Sequence, residues 1–188
     1  SVSPYQAVLG TTWTGGTVSV LSFATDDYMM CSAGQLSMAG DWALFFVGKF
    51  DGTTGELLSI GTYDAASYIA VRGSAAGSVL VRAADGSTSS TLTIPSMQYV
   101  VYRFASNSGT LSLTRMDTGA AVTVADSPRV SGTPVLAIGA RSNAASPVTS
   151  MKLSLPVLLY TRATNAGEDA AIYRYLKLQG AKKGLLVL

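Results

Sequence analysis

Short runs of apolar residues, many alternating with polar ones, follow one another along most of this 188-residue chain. Clusters of Gly, Ser, Asn and Asp separate them. A period of two bounded by turn residues is typical of antiparallel strands. The predicted strands are 17–23, 42–50, 56–61, 68–72, 78–83, 90–94, 98–105, 110–117, 135–140 and 151–160. The pattern therefore predicts an all-β fold.

In two of these runs the pattern also predicts which faces of the strand are buried. In 110–117, Leu111 and Leu113 fall on one face of the strand, and Ser112 and Thr114 fall on the other, so one face packs and the other is solvated. The run 42–50 is different, because its centre is apolar without interruption. Such a strand is typically covered on both faces. We expect it in the middle of the core, with Trp42 as a core residue.

One helix is predicted near the end of the chain. Asn165 followed three residues later by Glu168 matches a capping box, and the helical pattern then covers 166–179. Gly180 is expected to end it. The residues predicted to face the core are Ile172, Tyr175, Leu176 and Gln179.

The connections between strands hold residues that accept positive φ at low cost, as at 106–109 and 117–119. Two-residue and three-residue loops of this kind join neighbouring antiparallel strands. Several of the predicted strands should therefore be paired as hairpins.

The last third of the chain carries an ordered series of motifs. Leu-Ala-Ile-Gly-Ala-Arg at 136–141 precedes Leu-Pro-Val-Leu-Leu-Tyr-Thr-Arg-Ala at 155–163, and the helix follows. This order resembles the laminin-G-like branch of the concanavalin A-like jelly rolls, of the type found in bacteriophage virion proteins. The runs 42–49, 57–61 and 99–114 fit the same pattern. The resemblance implies an antiparallel jelly-roll β-sandwich with one short C-terminal helix.

Composition favours a single domain over 1–188 with a surface poor in charge. Charged residues make up 13% and hydrophobic residues 48% of the chain, against about 25% charged in ordinary soluble domains. Cys31 is the only cysteine, so an intrachain disulfide is impossible, and we expect a small core residue there. The first residues carry neither a basic region nor an apolar signal segment. No apolar run approaches the length of a membrane helix, so no membrane partner is expected.

The net charge of +2 is unevenly distributed. Residues 151–188 carry six Lys or Arg residues against Glu168 and Asp169, which gives +6 − 2 = +4, and the rest of the chain is −2. This basic segment either faces an acidic partner or is simply solvated. Nucleic-acid binding is not expected.

The residue types present argue against catalysis. The chain has no histidine, which excludes Ser-His-Asp and Cys-His mechanisms and histidine-bearing metal sites. Its only glutamates are Glu56 and Glu168, far apart in sequence, so the paired carboxylates of a glycosidase are missing. No catalytic residue and no cofactor is expected, although Asp26 and Asp27, beside Tyr28, form either a turn or a calcium or sugar site.

Two groups of residues are candidates for binding. Tyr63, Asp64, Arg141 and Asn143 would give a glycan an aromatic platform beside polar groups, or they are ordinary turn residues. The apolar tail that contains Leu185, Leu186, Val187 and Leu188 is expected to dock as a protein interface, either on its own sheet or on another subunit.

Two functions compete. The first is a non-enzymatic virion surface protein, namely a bacteriophage capsid-decorating or fibre-associated protein. It would be made in the host cytoplasm and held on the virion by other virion proteins or as a homo-oligomer. The alternative is a carbohydrate-binding adhesin module, such as a tail-fibre tip, which recognises a glycan on the host surface. The first needs an extensive apolar interface, whereas the second needs a polar groove with aromatics.

Overall fold

A computed structural model describes residues 5–7, 12–13, 20–23, 29–31, 40–50, 55–61, 68–75, 77–96, 98–126, 136–139 and 151–188. These ranges hold fourteen strands and one helix. The strands are β1 (Tyr5–Ala7), β2 (Thr12–Trp13), β3 (Val20–Phe23), β4 (Met29–Cys31), β5 (Trp42–Phe50), β6 (Glu56–Ile60), β7 (Ile69–Ala75), β8 (Ser78–Arg82), β9 (Leu92–Thr93), β10 (Val100–Asn107), β11 (Thr110–Arg115), β12 (Ala121–Ala125), β13 (Leu136–Ile138) and β14 (Met151–Tyr160). The helix is α1 (Ala166–Lys182).

The strands form two seven-stranded antiparallel sheets. Sheet 1 has the order β1-β4-β13-β6-β7-β8-β9, and sheet 2 has the order β12-β11-β10-β5-β14-β3-β2. Within the described ranges, all strand pairs in both sheets are antiparallel, and many neighbours are distant in sequence, as β5 and β14 are. The prediction of an all-β sandwich with one C-terminal helix is confirmed.

The main core lies between the two sheets. It gathers side chains from β5, β6, β7, β8, β10, β11 and β14. Trp42 belongs to this core, has no exposed area and meets the Phe104 ring edge-to-face, with the ring centroids 5.0 Å apart. Leu111 and Leu113 also point into this core, while Ser112 and Thr114 are half-buried. The predicted core role of Trp42 and the predicted phase of 110–117 are confirmed.

Strand β5 is buried on both faces. Alternate residues point into the core between the sheets, namely Trp42, Leu44, Phe46 and Phe50. The others belong to a second apolar cluster on the outer face of sheet 2, which includes Ala43, Phe45 and Val47. This second cluster is closed by α1 and the residues that follow it. The uninterrupted apolar run at 42–50 therefore reflects two cores that share one strand.

The longest strands agree best with the prediction. β5 and β14 begin and end at the predicted residues, whereas β13 and β9 are shorter than predicted. Four strands were not predicted, namely β1, β2, β4 and β12. The first three have only two or three residues, which is too few for a period of two to be recognised.

The predicted hairpin between β10 and β11 is closed by a two-residue loop. Asn107 pairs with Thr110, so the loop is Ser108-Gly109. Both loop residues have positive φ, 48° and 76°, as a type I′ turn requires. The Ser108 N–H also donates to the Asp41 carboxylate over 2.9 Å.

A candidate binding surface in the C-terminal layer

The start of α1 is fixed by reciprocal hydrogen bonds. The Glu168 N–H donates to the Asn165 side chain, and the Asn165 N–H donates to the Glu168 carboxylate, both over 3.0 Å. The same carboxylate accepts from the Arg162 guanidinium at 2.9 Å. The predicted capping box is confirmed, and Arg162 joins it to the end of β14.

A second polar cluster attaches this end of the helix to the sheet. Arg103 on β10 forms an ion pair with Asp169, with Nε and the carboxylate 3.3 Å apart. The Thr164 hydroxyl donates to the same carboxylate over 2.6 Å and accepts from Arg103 at 3.3 Å. All these groups are partly buried, so the helix is held in position by shielded polar contacts as well as by its apolar face.

The buried face of α1 differs from the prediction at two places. Ile172, Leu176 and Gly180 are buried at a spacing of four residues, which aligns them on one side of the helix. Tyr175 lies about 100° away from its neighbour Leu176 around the helix axis and is 45% exposed, so its assignment to the core face was wrong. Gly180 does not end the helix, which continues to Lys182.

Gly180 is instead the place where the tail, residues 184–188, crosses the helix. The Leu185 N–H donates to the Gly180 carbonyl over 3.0 Å. A Cβ atom at position 180 would collide with the Val187 side chain and would also touch Leu185. The chain turns back at Gly184, whose φ is 73°. A residue without a side chain at 180 therefore allows the tail to pack against the helix.

The tail is attached to sheet 2 by its backbone. Val187 forms a parallel bridge with Tyr99, just before β10, and the Leu188 N–H donates to the Tyr99 carbonyl over 2.9 Å. Leu185 and Val187 are buried in the outer cluster, and Leu188 packs against the core between the sheets. Of the four residues predicted as a protein interface, three thus contact their own domain. Leu186 points away and is 84% exposed.

Helix α1 and the tail together form a layer on the outside of sheet 2, called here the C-terminal layer. Within the described part of the chain, the exposed large apolar side chains are Tyr175, Leu178 and Leu186. All three belong to this layer. Tyr175 and Leu178 are i,i+3 neighbours on the helix surface, and exposed Arg174 and Lys182 lie on the same helix. We call these five residues the outer patch.

The other candidates of the sequence analysis are placed as follows. Tyr63, Asp64, Arg141, Asn143, Asp26 and Asp27 lie outside the described residues. Cys31 is in β4, and its side chain lies outside the described part of the chain. The glycan site therefore stays a prediction, and the C-terminal layer provides the candidate surface.

The described carboxylates are used in structural contacts. Glu56 is fully buried in β6 and pairs with Arg72 of the neighbouring strand, with Nε and Oε1 3.0 Å apart. Among the described residues, no group of three or more His, Cys, Asp or Glu side chains is arranged to hold a metal ion. In the same ranges, α1 does not have the length and apolar character that a membrane-crossing helix needs.

The cap of α1 predicts a dependence on pH. The Arg162 hydrogen bond, followed by the Asn165 N–H, lowers the pKa of Glu168 from 4.5 to about 2. Because the folded pKa is depressed, the contribution of Glu168 is present above pH 4.5 and is lost as the pH falls toward 2. We expect the amides of the first helical turn to lose protection from hydrogen exchange over this interval.

Glu168→Gln is expected to remove this dependence, since the amide does not titrate, and to leave the turn less protected at pH 6. Asp85→Asn, at an exposed turn between β8 and β9, is the control and should retain the pH dependence of the original chain. If the Glu168→Gln variant lost as much protection between pH 5 and 2 as the original chain, the pH dependence could not be assigned to Glu168.

No family model and no curated protein matches this sequence. Solved structures do match it over nearly its whole length. The receptor binding domain of botulinum neurotoxin C/D mosaic serotype superimposes with a TM-score of 0.65 at 9% identity, covering 93% of this chain and 46% of that one. The likeness is one of fold.

Two further structures of this kind contain bound molecules. The binding domain of botulinum neurotoxin DC in complex with rat synaptotagmin II has a TM-score of 0.66 at 7% identity and covers 92% of this chain. The same domain in complex with SialylT has a TM-score of 0.63 at 7% identity and covers 93%. This chain spans 46% of the length of each.

Proposed function

We propose that this chain is a non-enzymatic binding module that docks on an acidic protein surface through its outer patch. One observation carries the proposal: in the described part of the chain, every large exposed apolar side chain lies in the C-terminal layer. Single exposed apolar residues are ordinary on protein surfaces, whereas their restriction to one layer favours an interaction site.

The attachment of the tail supports the same conclusion. Leu185 and Val187 fix the tail on both sides of Leu186, so Leu186 is presented to solvent on a backbone that is hydrogen-bonded at Gly180 and Tyr99. A side chain held in this way loses little conformational entropy when a partner covers it. The tail therefore packs against its own domain and at the same time presents an apolar side chain to solvent.

Charge favours an acidic partner. Beyond Asp169 the chain has Arg174, Lys177, Lys182 and Lys183 and no acidic residue. Among the described residues, neither Arg174 nor Lys182 forms an ion pair with a carboxylate, and the Arg174 Nε donates instead to the Ala170 carbonyl over 3.2 Å. Cations at the border of an apolar patch steer an anionic partner and fix its orientation.

More specifically, we propose that the chain is an accessory protein on the surface of a virion and that its partners are other virion proteins. The poorly charged composition and the virion-type resemblance of the motifs at 136–141 and 155–163 support this form. Two solved structures of the same fold are complexes, one with rat synaptotagmin II and the other with SialylT. The fold is therefore compatible with a binding role.

The test coexpresses the full chain with the proteins encoded beside its gene and sediments the resulting particles. We expect the chain to sediment with them and the Leu178→Glu, Leu186→Glu double variant to bind at least tenfold more weakly, because two carboxylates are placed in an apolar contact. Thr93→Glu adds the same kind of charge at an exposed position of β9 in sheet 1 and should bind like the original chain.

Equal retention of the double variant and the original chain would overturn the role of the outer patch. A chain that stays in the supernatant, but binds a glycan array saturably as a monomer, would overturn the protein-docking proposal. That result would favour the adhesin alternative, whose candidate residues are Tyr63, Asp64, Arg141 and Asn143. We retain this alternative because a domain of the same fold has been solved in complex with SialylT.

A further inference from the structure

Among the described residues, β12 is an outer strand of sheet 2, and its edge away from β11 is unpaired. β12 lies at the end of the sheet and pairs with β11 on one side. Exposed edge strands usually carry charges, Pro or bulges that prevent pairing with another chain. Residues 120–125 have the sequence Ala-Ala-Val-Thr-Val-Ala, which contains no charged residue and no Pro. Their register with β11 is continuous from Ala121 to Ala125.

The hydrogen bonds at both ends of β12 identify the backbone groups that face outward. The Arg115 N–H donates to the Ala120 carbonyl over 2.8 Å, and the Asp126 N–H donates to the Gly109 carbonyl over 2.7 Å. In an antiparallel ladder the groups of alternate residues point to the same neighbour. Residues 120, 122, 124 and 126 therefore face β11. The N–H and C=O groups of Ala121, Thr123 and Ala125 face away from it.

The sequence of β12 is the same in both directions about Thr123. Ala121-Val122-Thr123-Val124-Ala125 is a palindrome, and the outward-facing set 121, 123 and 125 is symmetric about the same residue. In an antiparallel pair of two copies centred there, Thr123 faces Thr123 and Ala121 faces Ala125. Each facing pair exchanges two N–H···O bonds, which gives about six in all.

The side chains fit this arrangement on both faces of the strand. Val122 is buried and Val124 packs against the core between the sheets, so each valine would meet the other copy's valine on the inner face. Ala121, Thr123 and Ala125 are exposed on the outer face. They are small, and none is charged. A twofold interface requires such self-complementarity, since the same residues meet their own copies.

We propose that β12 is the interface of a homodimer, in which a second copy of this chain adds its β12 antiparallel to the first. The pairing joins sheet 2 of one copy to sheet 2 of the other. Strand addition at a free edge is a common way for β-proteins to associate. The proposal uses a surface other than the outer patch, so either can fail without the other.

The first experiment measures the mass of the full chain by sedimentation equilibrium. We expect a value near twice the 19.4 kDa of one chain. Thr123→Lys should weaken dimerisation at least tenfold, because two ammonium groups would face each other across the twofold axis. Thr93→Lys is the matched control, since it places the same side chain on the exposed edge strand β9 of sheet 1, and it should remain dimeric.

The second experiment tests the register. Opposed residues in a hydrogen-bonded antiparallel pair have Cα atoms about 5.5 Å apart, which is within the range of a disulfide. On mild oxidation, Thr123→Cys should form a covalent dimer, whereas Thr93→Cys and the original chain with Cys31 alone should not. A chain that is monomeric at about 100 µM would overturn the proposal. A dimer unaffected by Thr123→Lys, with no cross-link in Thr123→Cys, would also overturn it.

Discussion

Phe45→Ala is expected to lower the free energy of unfolding by about 3–5 kcal/mol, the usual cost of truncating a buried aromatic side chain. Phe45 has no exposed area and lies in the outer cluster between sheet 2 and the C-terminal layer. Its ring meets Tyr160 edge-to-face, with the centroids 5.9 Å apart. Denaturation in urea, with the free energy extrapolated to water, measures the loss.

Leu178→Ala is the control, because Leu178 is 54% exposed on the outer side of the same layer. We expect it to change the free energy of unfolding by less than about 0.5 kcal/mol. Similar losses in the two variants would show that the C-terminal layer does not form a core with sheet 2.

Gly180→Ala should destabilise the protein by about 1–3 kcal/mol, although alanine is the better helix former. Replacing a helical Gly by Ala normally gains about 0.5–1 kcal/mol. Here the added methyl group would collide with the Val187 side chain, and overpacking of this kind costs more than the propensity gains. Thermal unfolding gives the sign of the net effect, and hydrogen exchange at the Leu188 amide reports whether the tail has moved.

The double variant Gly180→Ala, Val187→Ala separates the two effects. Removal of the Val187 γ-carbons makes space for the new methyl group, so the substitution at 180 should cost less in this background than in the original chain. If Gly180→Ala raises the stability and leaves the Leu188 amide protected, the contact between helix and tail is not as described.

Prediction from the sequence worked best where one element is long and its signal is local. The apolar run of β5 and the capping box at Asn165 and Glu168 depend only on nearby residues, and both are confirmed. β12 was missed, although Val122 and Val124 alternate with small residues after the turn at 117–119. Alanine favours strands only weakly, so this run resembled a loop until its pairing with β11 was known.

The helix was predicted correctly in position but not in its packing. A glycine near the end of a helical pattern usually marks the cap, and nothing near Gly180 in sequence reveals that Val187 crosses it. The apolar character of Tyr175 suggested the core face, whereas the buried residues follow a spacing of four. The tail is attached to Tyr99 while Leu186 is exposed. This double role depends on contacts between residues that are distant in sequence.

The double burial of β5 has a consequence for synthesis of the protein. Ala43, Phe45 and Val47 need α1 and the tail to cover them, yet about 125 residues separate Val47 from Ile172. At ribosomal rates of about 5–20 residues per second, this interval lasts on the order of ten seconds. For that time a nascent chain presents an uncovered apolar sheet face, which is closed only after α1 and the tail have been made.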